Sequence, residues 1–128
     1  MKVVGGSASV SLARGIAKDL RATFVEVAFE RHPGGFPDGE RYVRLLAPVA
    51  GDHVVLVQTT HPDPMTVELF LLADAIRDGG ANRVTAVIPY YGYARQDKRF
   101  LEGEAVSAKT IAKHLAVDCD ELLTMAIP

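Results

Sequence analysis

Two short runs of β-branched residues, joined by a stretch of helical periodicity, constrain the fold of this chain more than any other feature. The first run lies in residues 52–59 (DHVVLVQT) and the second in residues 84–88 (VTAVI). Apolar runs of this length are typical of strands buried on both faces of a parallel sheet. The apolar residues between them recur at helical spacing: Met65, Leu69, Leu72 and Ile76. The unit 54–88 therefore has the length of a βαβ crossover, which predicts a parallel sheet with a right-handed connection.

The helix of this unit is predicted to begin at Asp63 and to end at the paired glycines 79–80. Aspartate is a favourable N-cap residue, and Pro64 suits the first helical position. Glycine is the common residue just beyond a helix C-terminus. Phe70 and Leu71 add a second apolar flank to the helix. An apolar surface this wide predicts burial against both the sheet and a partner.

The remaining elements follow from the same signals. Strands are predicted at residues 2–4, 23–29, 40–46 and 121–125, and helices after Ser7 or Ser9 and after Ser107, with these serines as caps. The sequence HPGGFPDG at 32–39 predicts a tight exposed turn, so 23–46 reads as a hairpin-like excursion. We therefore expect an α/β fold with a mostly parallel sheet, helices on both faces and one β-hairpin excursion.

The composition indicates one globular domain spanning residues 1–128. The chain is 48% hydrophobic and 23% charged, with a net charge of −2. A chain of this size can bury roughly 60–70% of its unfolded surface, which is enough for a core. There is no basic excess of the kind that indicates a nucleic-acid partner. No segment approaches the roughly 20 consecutive apolar residues that a membrane-spanning helix needs.

The cysteine and histidine residues indicate neither a disulfide nor a zinc site. Cys119 is the only cysteine, so an internal disulfide is impossible and a cytoplasmic location is expected. The four histidines are scattered along the chain without the spacing of metal ligands. We therefore predict no metal site made by this chain.

A polar and aromatic loop follows the second buried strand. Pro89 cannot donate to a strand ladder, so the strand is predicted to end there. The loop then carries these residues: Tyr90, Tyr91, Tyr93, Arg95, Gln96, Asp97, Lys98 and Arg99. Ligands of parallel α/β sheets bind outside the carboxyl ends of the strands. Tyrosine can stack on a base, and arginine matches phosphate oxygens with a planar fork. The loop is a candidate nucleotide site; the alternative is a solvated loop whose charges neutralise one another.

The tip of the excursion is a second candidate site. Phe36, Asp38 and Glu40 lie close together in the glycine-rich turn. An aromatic ring followed by two carboxylates in a rigid turn has the groups to clamp a base and its amino group, or a ribose. The alternative is turn chemistry alone, because an Asp-Gly pair is common in tight turns.

Three segments in combination resemble the ribose-phosphate pyrophosphokinase family, also called phosphoribosyl pyrophosphate synthetases. They are FPDGE at 36–40, the stretch 54–99 with YARQD at 93–97, and VSAKTIAKHLA at 106–116. The resemblance covers nearly the whole chain, and the loop FLEGEAVSAK at 100–109 is most similar to the archaeal branch. It implies a three-layer, phosphoribosyltransferase-like fold.

The resemblance also implies an activity and its partners. The family moves the terminal diphosphate of ATP onto the anomeric hydroxyl of ribose 5-phosphate, with Mg²⁺, in nucleotide biosynthesis. Arg95 and Gln96 would contact ATP. The adenine of an ATP bound mainly by a neighbouring subunit would be contacted by Phe36, Asp38, Gly39 and Glu40. The implied ATP site therefore needs a homo-oligomer, and no catalytic residue is assigned within this chain.

The sequence departs from the family in what it lacks. Family members are much longer, and their second domain carries an acidic, Thr/Gly-rich loop that holds the ribose phosphate. Where the family continues its last strand with Asp-Leu-His, this chain reads Met125-Ala126-Ile127-Pro128. We therefore expect an N-terminal half that is inactive as an isolated chain.

Two other functions remain as alternatives. A catalytically silent interaction subunit, related to the synthetases, would fit the missing histidine-containing end. A type I phosphoribosyltransferase would share the fold, but its diagnostic acidic Thr/Gly loop is missing.

Overall fold

The structure is a computed structural model of the chain that describes residues 1–125. Its elements, in order, are β1 (Lys2–Gly5), α1 (Val10–Leu20), β2 (Thr23–Val25), β3 (Val27–Ala28), β4 (Arg44–Leu45), β5 (His53–Val57), α2 (Asp63–Asp78), β6 (Arg83–Ile88), α3 (Ser107–Leu115) and β7 (Glu121–Thr124). Residues Ala126, Ile127 and Pro128, where the sequence departs from the family, lie outside the described residues.

The main sheet confirms the predicted parallel arrangement. Its five strands follow the order β2-β1-β5-β6-β7, and every neighbouring pair is parallel. The crossover β5-α2-β6 joins adjacent strands, and their ladder runs from the pair His53–Arg83 to the pair Val57–Val87. The strand order places the carboxyl ends of β5 and β6 side by side at the centre of the sheet.

Helices cover both faces of this sheet, as expected for three layers. Successive residues of a strand point to opposite faces, so Val54 and Leu56 join the core beneath α2 and α3. Val55 and Val57 join the second core beneath α1, which includes Ala13. The fold is therefore α/β with helices on both faces, and the predicted fold class is confirmed.

The hairpin excursion is present, but its strands are shorter than predicted. The predicted strand 23–29 divides, because β2 joins the main sheet beside β1 while β3 pairs antiparallel with β4. The predicted strand 40–46 reduces to the two residues of β4. Residues 29–43, which connect β3 to β4, are mostly exposed, and we call them the arm. Long-range pairing, which no local pattern encodes, set these limits.

The predicted serine cap of α1 is confirmed in its position but not in its hydrogen bond. Ser9 occupies the N-cap position, but its side chain makes no cap hydrogen bond. Its hydroxyl instead accepts a hydrogen bond from the Thr59 amide at 3.3 Å. The hydroxyl of Ser7 donates to Glu68 on α2 at 2.9 Å. Both serines therefore bind neighbouring elements in preference to their own helix.

In the other two helices the residue predicted as the N-cap is instead the first helical residue. Asp63 is the first residue of α2, with Pro62 at the N-cap position and Pro64 next in the chain. Ser107 is the first residue of α3 and makes no side-chain cap bond. None of the helices along residues 1–125 has the length and apolar character needed to cross a membrane.

Candidate functional site

The loops that follow β5 and β6 are bonded to each other at the carboxyl edge of the sheet. The Thr60 amide donates to the Tyr90 carbonyl at 3.0 Å, and the Gly92 amide donates to the Thr60 hydroxyl at 2.6 Å. A Cβ at position 92 would lie 2.8 Å from the Thr60 carbonyl oxygen, so the close approach requires glycine. The two loops therefore form one rigid platform.

Tyr93 fixes the next part of the β6 loop against the start of α2. Its backbone has a φ of 67°, a left-handed conformation that is uncommon outside glycine. Its hydroxyl donates to Asp63 Oδ1 at 2.8 Å. The pKa of Tyr93 is raised above its ordinary value, mainly by this hydrogen bond and to a smaller extent by the negative charge of Asp63. The contact holds the backbone just before Arg95 in a defined orientation.

Arg95 and Gln96 follow directly and face solvent. Both side chains are exposed, and Arg95 makes no ion pair within residues 1–125. The Gln96 backbone is held at both ends: its amide donates to the Tyr93 carbonyl at 2.9 Å, and its carbonyl accepts from the Ala108 amide at 3.1 Å. A free guanidinium on an anchored backbone is suited to an external anion.

Of the three loop tyrosines, Tyr91 is not available for stacking on a ligand. It is partly buried, and its hydroxyl donates to the Ala108 carbonyl at 2.7 Å. Burial raises its pKa above the ordinary value. Tyr90 is 59% exposed and Tyr93 is 43% exposed, so their rings remain accessible.

The tip of the arm is a hydrogen-bonded turn. The Gly39 amide donates to the Phe36 carbonyl at 3.0 Å, and Gly39 has a φ of 82°, which favours glycine. Asp38 Oδ1 accepts from the Glu40 amide at 3.0 Å, so one carboxylate oxygen shapes the turn. The Phe36 ring packs edge-on to Tyr42, with centroids 6.0 Å apart. The turn presents the Glu40 carboxylate to solvent.

Three surface cavities meet at Asp63. One of about 510 Å³ includes His61, Tyr90 and Tyr93 among its lining residues. A second, of about 550 Å³, lies between α2 and the arm residues Asp38–Arg41. A third, of about 400 Å³, lies between α2 and the start of α3. Ligand sites commonly have volumes in the range of roughly 300–1,000 Å³.

These cavities bring some of the predicted residues together and leave others apart. Asp38, Gly39 and Glu40 line the cavity beside α2. Phe36, Arg95 and Gln96 do not line any of the three cavities. The arm and the Arg95 loop thus flank the same helix start without forming one enclosed site within a single chain.

Asp63 is a residue whose place in the site the sequence did not indicate. It reads as a helix cap in the sequence, and its contact with Tyr93 joins positions 30 residues apart. The only available signal was its position beyond the loop that follows a buried strand, on the side of the strand's carboxyl end, where ligand-binding residues are common.

The described residues do not assemble a metal site of their own. Within residues 1–125 there is no group of three or more His, Cys, Asp or Glu side chains that could hold a metal ion.

Comparison with solved structures defines the class of protein first. The crystal structure of phosphoribosylpyrophosphate synthetase from Mycobacterium smegmatis superposes with a TM-score of 0.84 at 29% identity, over 98% of this chain and 42% of that chain. A purine phosphoribosyltransferase from Pyrococcus horikoshii superposes with a TM-score of 0.50 at 10% identity, over 98% of this chain and 70% of that chain, which shows a shared fold alone. The fold is that of phosphoribosyltransferase-like α/β proteins.

Comparison of sequences then gives the family. Residues 1–118 match the model of the N-terminal domain of ribose phosphate pyrophosphokinase. The chain is 45% identical to a ribose-phosphate pyrophosphokinase of Saccharolobus solfataricus, over 87% of this chain and 38% of the relative. It is 41% identical to that of Methanobrevibacter smithii, over 98% of this chain and 41% of the relative. The chain belongs to the ribose-phosphate pyrophosphokinase family, and it spans about two fifths of the length of these relatives.

Proposed function

We propose that this chain is the N-terminal, ATP-binding domain of a ribose-phosphate diphosphokinase. The complete activity would transfer diphosphate from ATP to ribose 5-phosphate and form 5-phosphoribosyl 1-diphosphate. The proposal rests mainly on the family match over residues 1–118. It is supported by the loop at the carboxyl edge of the sheet, in which Arg95 is exposed and the neighbouring backbone is held by hydrogen bonds.

In this proposal the two candidate sites act on one nucleotide from different subunits. Arg95 and Gln96 bind the phosphates and sugar of ATP, which arrives with Mg²⁺ as part of the substrate. The adenine lies against the arm of a neighbouring copy, where its partners are Phe36, Asp38, Gly39 and Glu40. The separation of the arm from Arg95 within one chain supports such an arrangement.

In this proposal these residues position the nucleotide and neutralise the negative charge of its phosphates. Transfer of a phosphoryl or diphosphoryl group demands little covalent work from the protein and depends on aligned oxygens and nearby cations. Arg95 offers a planar fork of donors for phosphate oxygens. The acidic Thr/Gly-rich loop implied for the ribose phosphate has no counterpart in these 128 residues, so we propose that the isolated chain binds nucleotide without turning it over.

The remaining parts of the proposal concern context. We propose that residues 1–128 act as one domain, in a homo-oligomer and in the cytoplasm. The relatives that match the chain are named as pyrophosphokinases, which does not favour the alternative of a catalytically silent subunit.

Substitution of Arg95 by alanine tests the nucleotide site. A charge-assisted hydrogen bond is worth about 1.5–3 kcal/mol. Each 1.4 kcal/mol corresponds to about tenfold in affinity, so Arg95→Ala should weaken binding of magnesium-ATP by roughly 10- to 100-fold. Isothermal titration calorimetry measures the effect.

Arg21→Ala is the matched control. Arg21 is also exposed and makes no ion pair within the described part of the chain, but it lies after α1, at the amino edge of the sheet. Both substitutions remove one cation, so general electrostatics would weaken binding equally in the two variants. Equal losses would contradict the assignment of the nucleotide to the Arg95 loop.

A further inference from the structure

A carboxylate is buried where β1, β5 and α2 meet. Glu68, on α2, is only 1% exposed. Its Oε2 accepts hydrogen bonds from the Ser7 amide at 2.8 Å, the Ser7 hydroxyl at 2.9 Å and Gln58 Nε2 at 2.5 Å. Gln58 is fully buried and accepts in turn from the Ala8 amide at 3.3 Å. Glu68 therefore closes a polar cluster in which every direct donor to Oε2 is neutral.

The charge of this cluster is balanced from the arm. Arg41 Nη2 lies 3.5 Å from Glu68 Oε1, and the Arg41 side chain is 35% exposed, against 1% for Glu68. A buried charge is costly unless a charge of opposite sign lies nearby. Arg41 is the only cation that forms an ion pair with Glu68 among the described residues. The need to neutralise Glu68 therefore favours one position of Arg41.

Apart from Val43 at its base, which packs against the main core, the arm has few other attachments to the body of the protein. Residues 30–41 are all exposed except Phe36, which is partly exposed and packs on Tyr42 within the arm itself. The strands at its base, β3 and β4, have two residues each. Arg41 follows Glu40 directly, so whatever holds Arg41 also limits the orientation of the turn at 36–40.

We propose that Glu68 is a positioning residue for the arm: through Arg41 it holds the segment 36–40 in the orientation that receives a nucleotide. The role of Glu68 in nucleotide binding rests on the proposed function. The attachment of the arm to Glu68 does not depend on that function. The same carboxylate fixes the turn between β1 and α1 through Ser7. Glu68 thus ties the arm to the carboxyl edge of the sheet.

The sharpest variant is Arg41→Met, because it removes the charge and leaves Glu68, Ser7 and Gln58 in place. Amide hydrogen exchange followed by mass spectrometry should show exchange on the order of tenfold faster across residues 36–40, with β5 and β6 unchanged. Arg44→Met is the matched control: Arg44 is an exposed arginine of β4 without an ion pair in the described range. Unchanged exchange in Arg41→Met would overturn the proposal.

A second variant tests whether Glu68 is the partner. In Glu68→Gln the side-chain carbonyl can still accept the bonds from Ser7 and Gln58, but no charge remains to hold Arg41. If the pair acts as a unit, the double variant should show the same arm exchange as Arg41→Met alone. Additive effects of the two substitutions on the arm would overturn the role of Glu68. Should Glu68→Gln not fold, the Arg41→Met comparison decides alone.

Nucleotide affinity separates this inference from the proposed function. Measured at a temperature where both variants remain folded, Arg41→Met should weaken magnesium-ATP binding severalfold, and Arg44→Met should not. A loss of binding in Arg95→Ala together with full affinity in Arg41→Met would overturn the positioning role. Full affinity in Arg95→Ala, with faster arm exchange in Arg41→Met, would instead contradict the proposed nucleotide site and leave the attachment of the arm by Glu68 standing.

Discussion

The backbone at Gly6 runs so close to the side chain of Gln58, the residue that follows β5, that no larger residue fits. A Cβ at this position would lie 2.2 Å from Gln58 Cδ. Gln58 cannot move aside cheaply, because it is fully buried and bonded to Glu68 and to the Ala8 amide. The glycine is therefore needed for space, and the same packing keeps the Glu68 cluster intact.

Gly6→Ala should destabilise the protein by about 1–3 kcal/mol, as other overpacked sites do. Gly15→Ala is the control, because Gly15 lies in α1 and a Cβ there would meet nothing within 4 Å. That substitution should stabilise the protein by roughly 0.5–1 kcal/mol through helix propensity. Urea unfolding of the two variants gives both values. Equal stability of Gly6→Ala and the parent chain would show that Gln58 has room to move.

Single residues were predictable where their role depends on near neighbours in the chain. The turn at Gly39 was visible, because an Asp-Gly pair signals a tight turn. The roles of Glu68 and Asp63 were not visible, since each depends on a partner far away in sequence, Ser7 and Tyr93 respectively. A buried glutamate on an otherwise apolar helix face carries no local signal of its donors.

At the scale of elements, the edge strand β7 is attached to β6 through charged side chains as well as the ladder. Asp120 Oδ2 accepts from the Val84 amide at 2.8 Å and from Arg77 at 2.6 Å. Glu121 accepts from Thr85 at 2.6 Å and pairs with Arg83 at 3.1 Å. The pKa of Asp120 is lowered first by the hydrogen bond from the Val84 amide and second by the hydrogen bond from Arg77. The pKa of Glu121 is lowered first by the hydrogen bond from Arg83 and second by the hydrogen bond from Thr85.

These shifts predict that acid weakens β7. A carboxyl with a pKa lowered by folding adds stability above its unfolded pKa and loses it as the pH falls through the folded value. The loss should therefore begin below the ordinary values, 4.5 for glutamate and 3.8 for aspartate. The double variant Asp120→Asn with Glu121→Gln should show a flatter dependence of unfolding free energy on pH.

Chemical denaturation between about pH 6 and pH 3 measures this dependence. Asp19→Asn is the control, since Asp19 is an exposed carboxylate on α1 without an ion pair in the described part of the chain. An unchanged slope in the double variant would contradict the role of the β7 carboxylates.

Elements were predictable to the extent that their periodicity is local. The crossover β5-α2-β6 was predicted because two apolar runs and a helical repeat are enough to define it. The division of residues 23–29 into β2 and β3 was not predicted, because the segment joins two different sheets. The strand predicted at residues 40–46 is longer than β4, which has two residues, for the same reason. Pairing partners, rather than composition, decide where these strands end.

At the scale of the whole molecule, α2 leaves part of its apolar surface uncovered. Leu69 and Leu72 are fully buried, whereas Val67 is 49% exposed and Leu71 is 37% exposed. Exposed apolar positions that share one helix face are typical of association surfaces. We therefore predict a homodimer or larger species, as the sequence led us to expect.

Light scattering at tens of micromolar tests this prediction, because interfaces of standard size usually form at such concentrations. Val67→Glu should shift the distribution towards the monomer, whereas Val117→Glu, which alters a more exposed residue at 78%, should not. A monomeric mass for the parent chain would contradict both the association surface and the proposed sharing of one nucleotide between subunits.

Titration of the isotope-labelled chain with magnesium-ATP, followed through its amide chemical shifts, tests most directly whether the carboxyl edge of the sheet binds the nucleotide. We expect saturable shifts in the Arg95 loop, residues 93–97, and at the tip of the arm, residues 38–40. Asp52, Asn82 and Glu121, at the opposite edge of the sheet, should be unaffected. Saturable shifts confined to that opposite edge, or none in the loop at saturating nucleotide, would contradict the central claim that the carboxyl edge binds ATP.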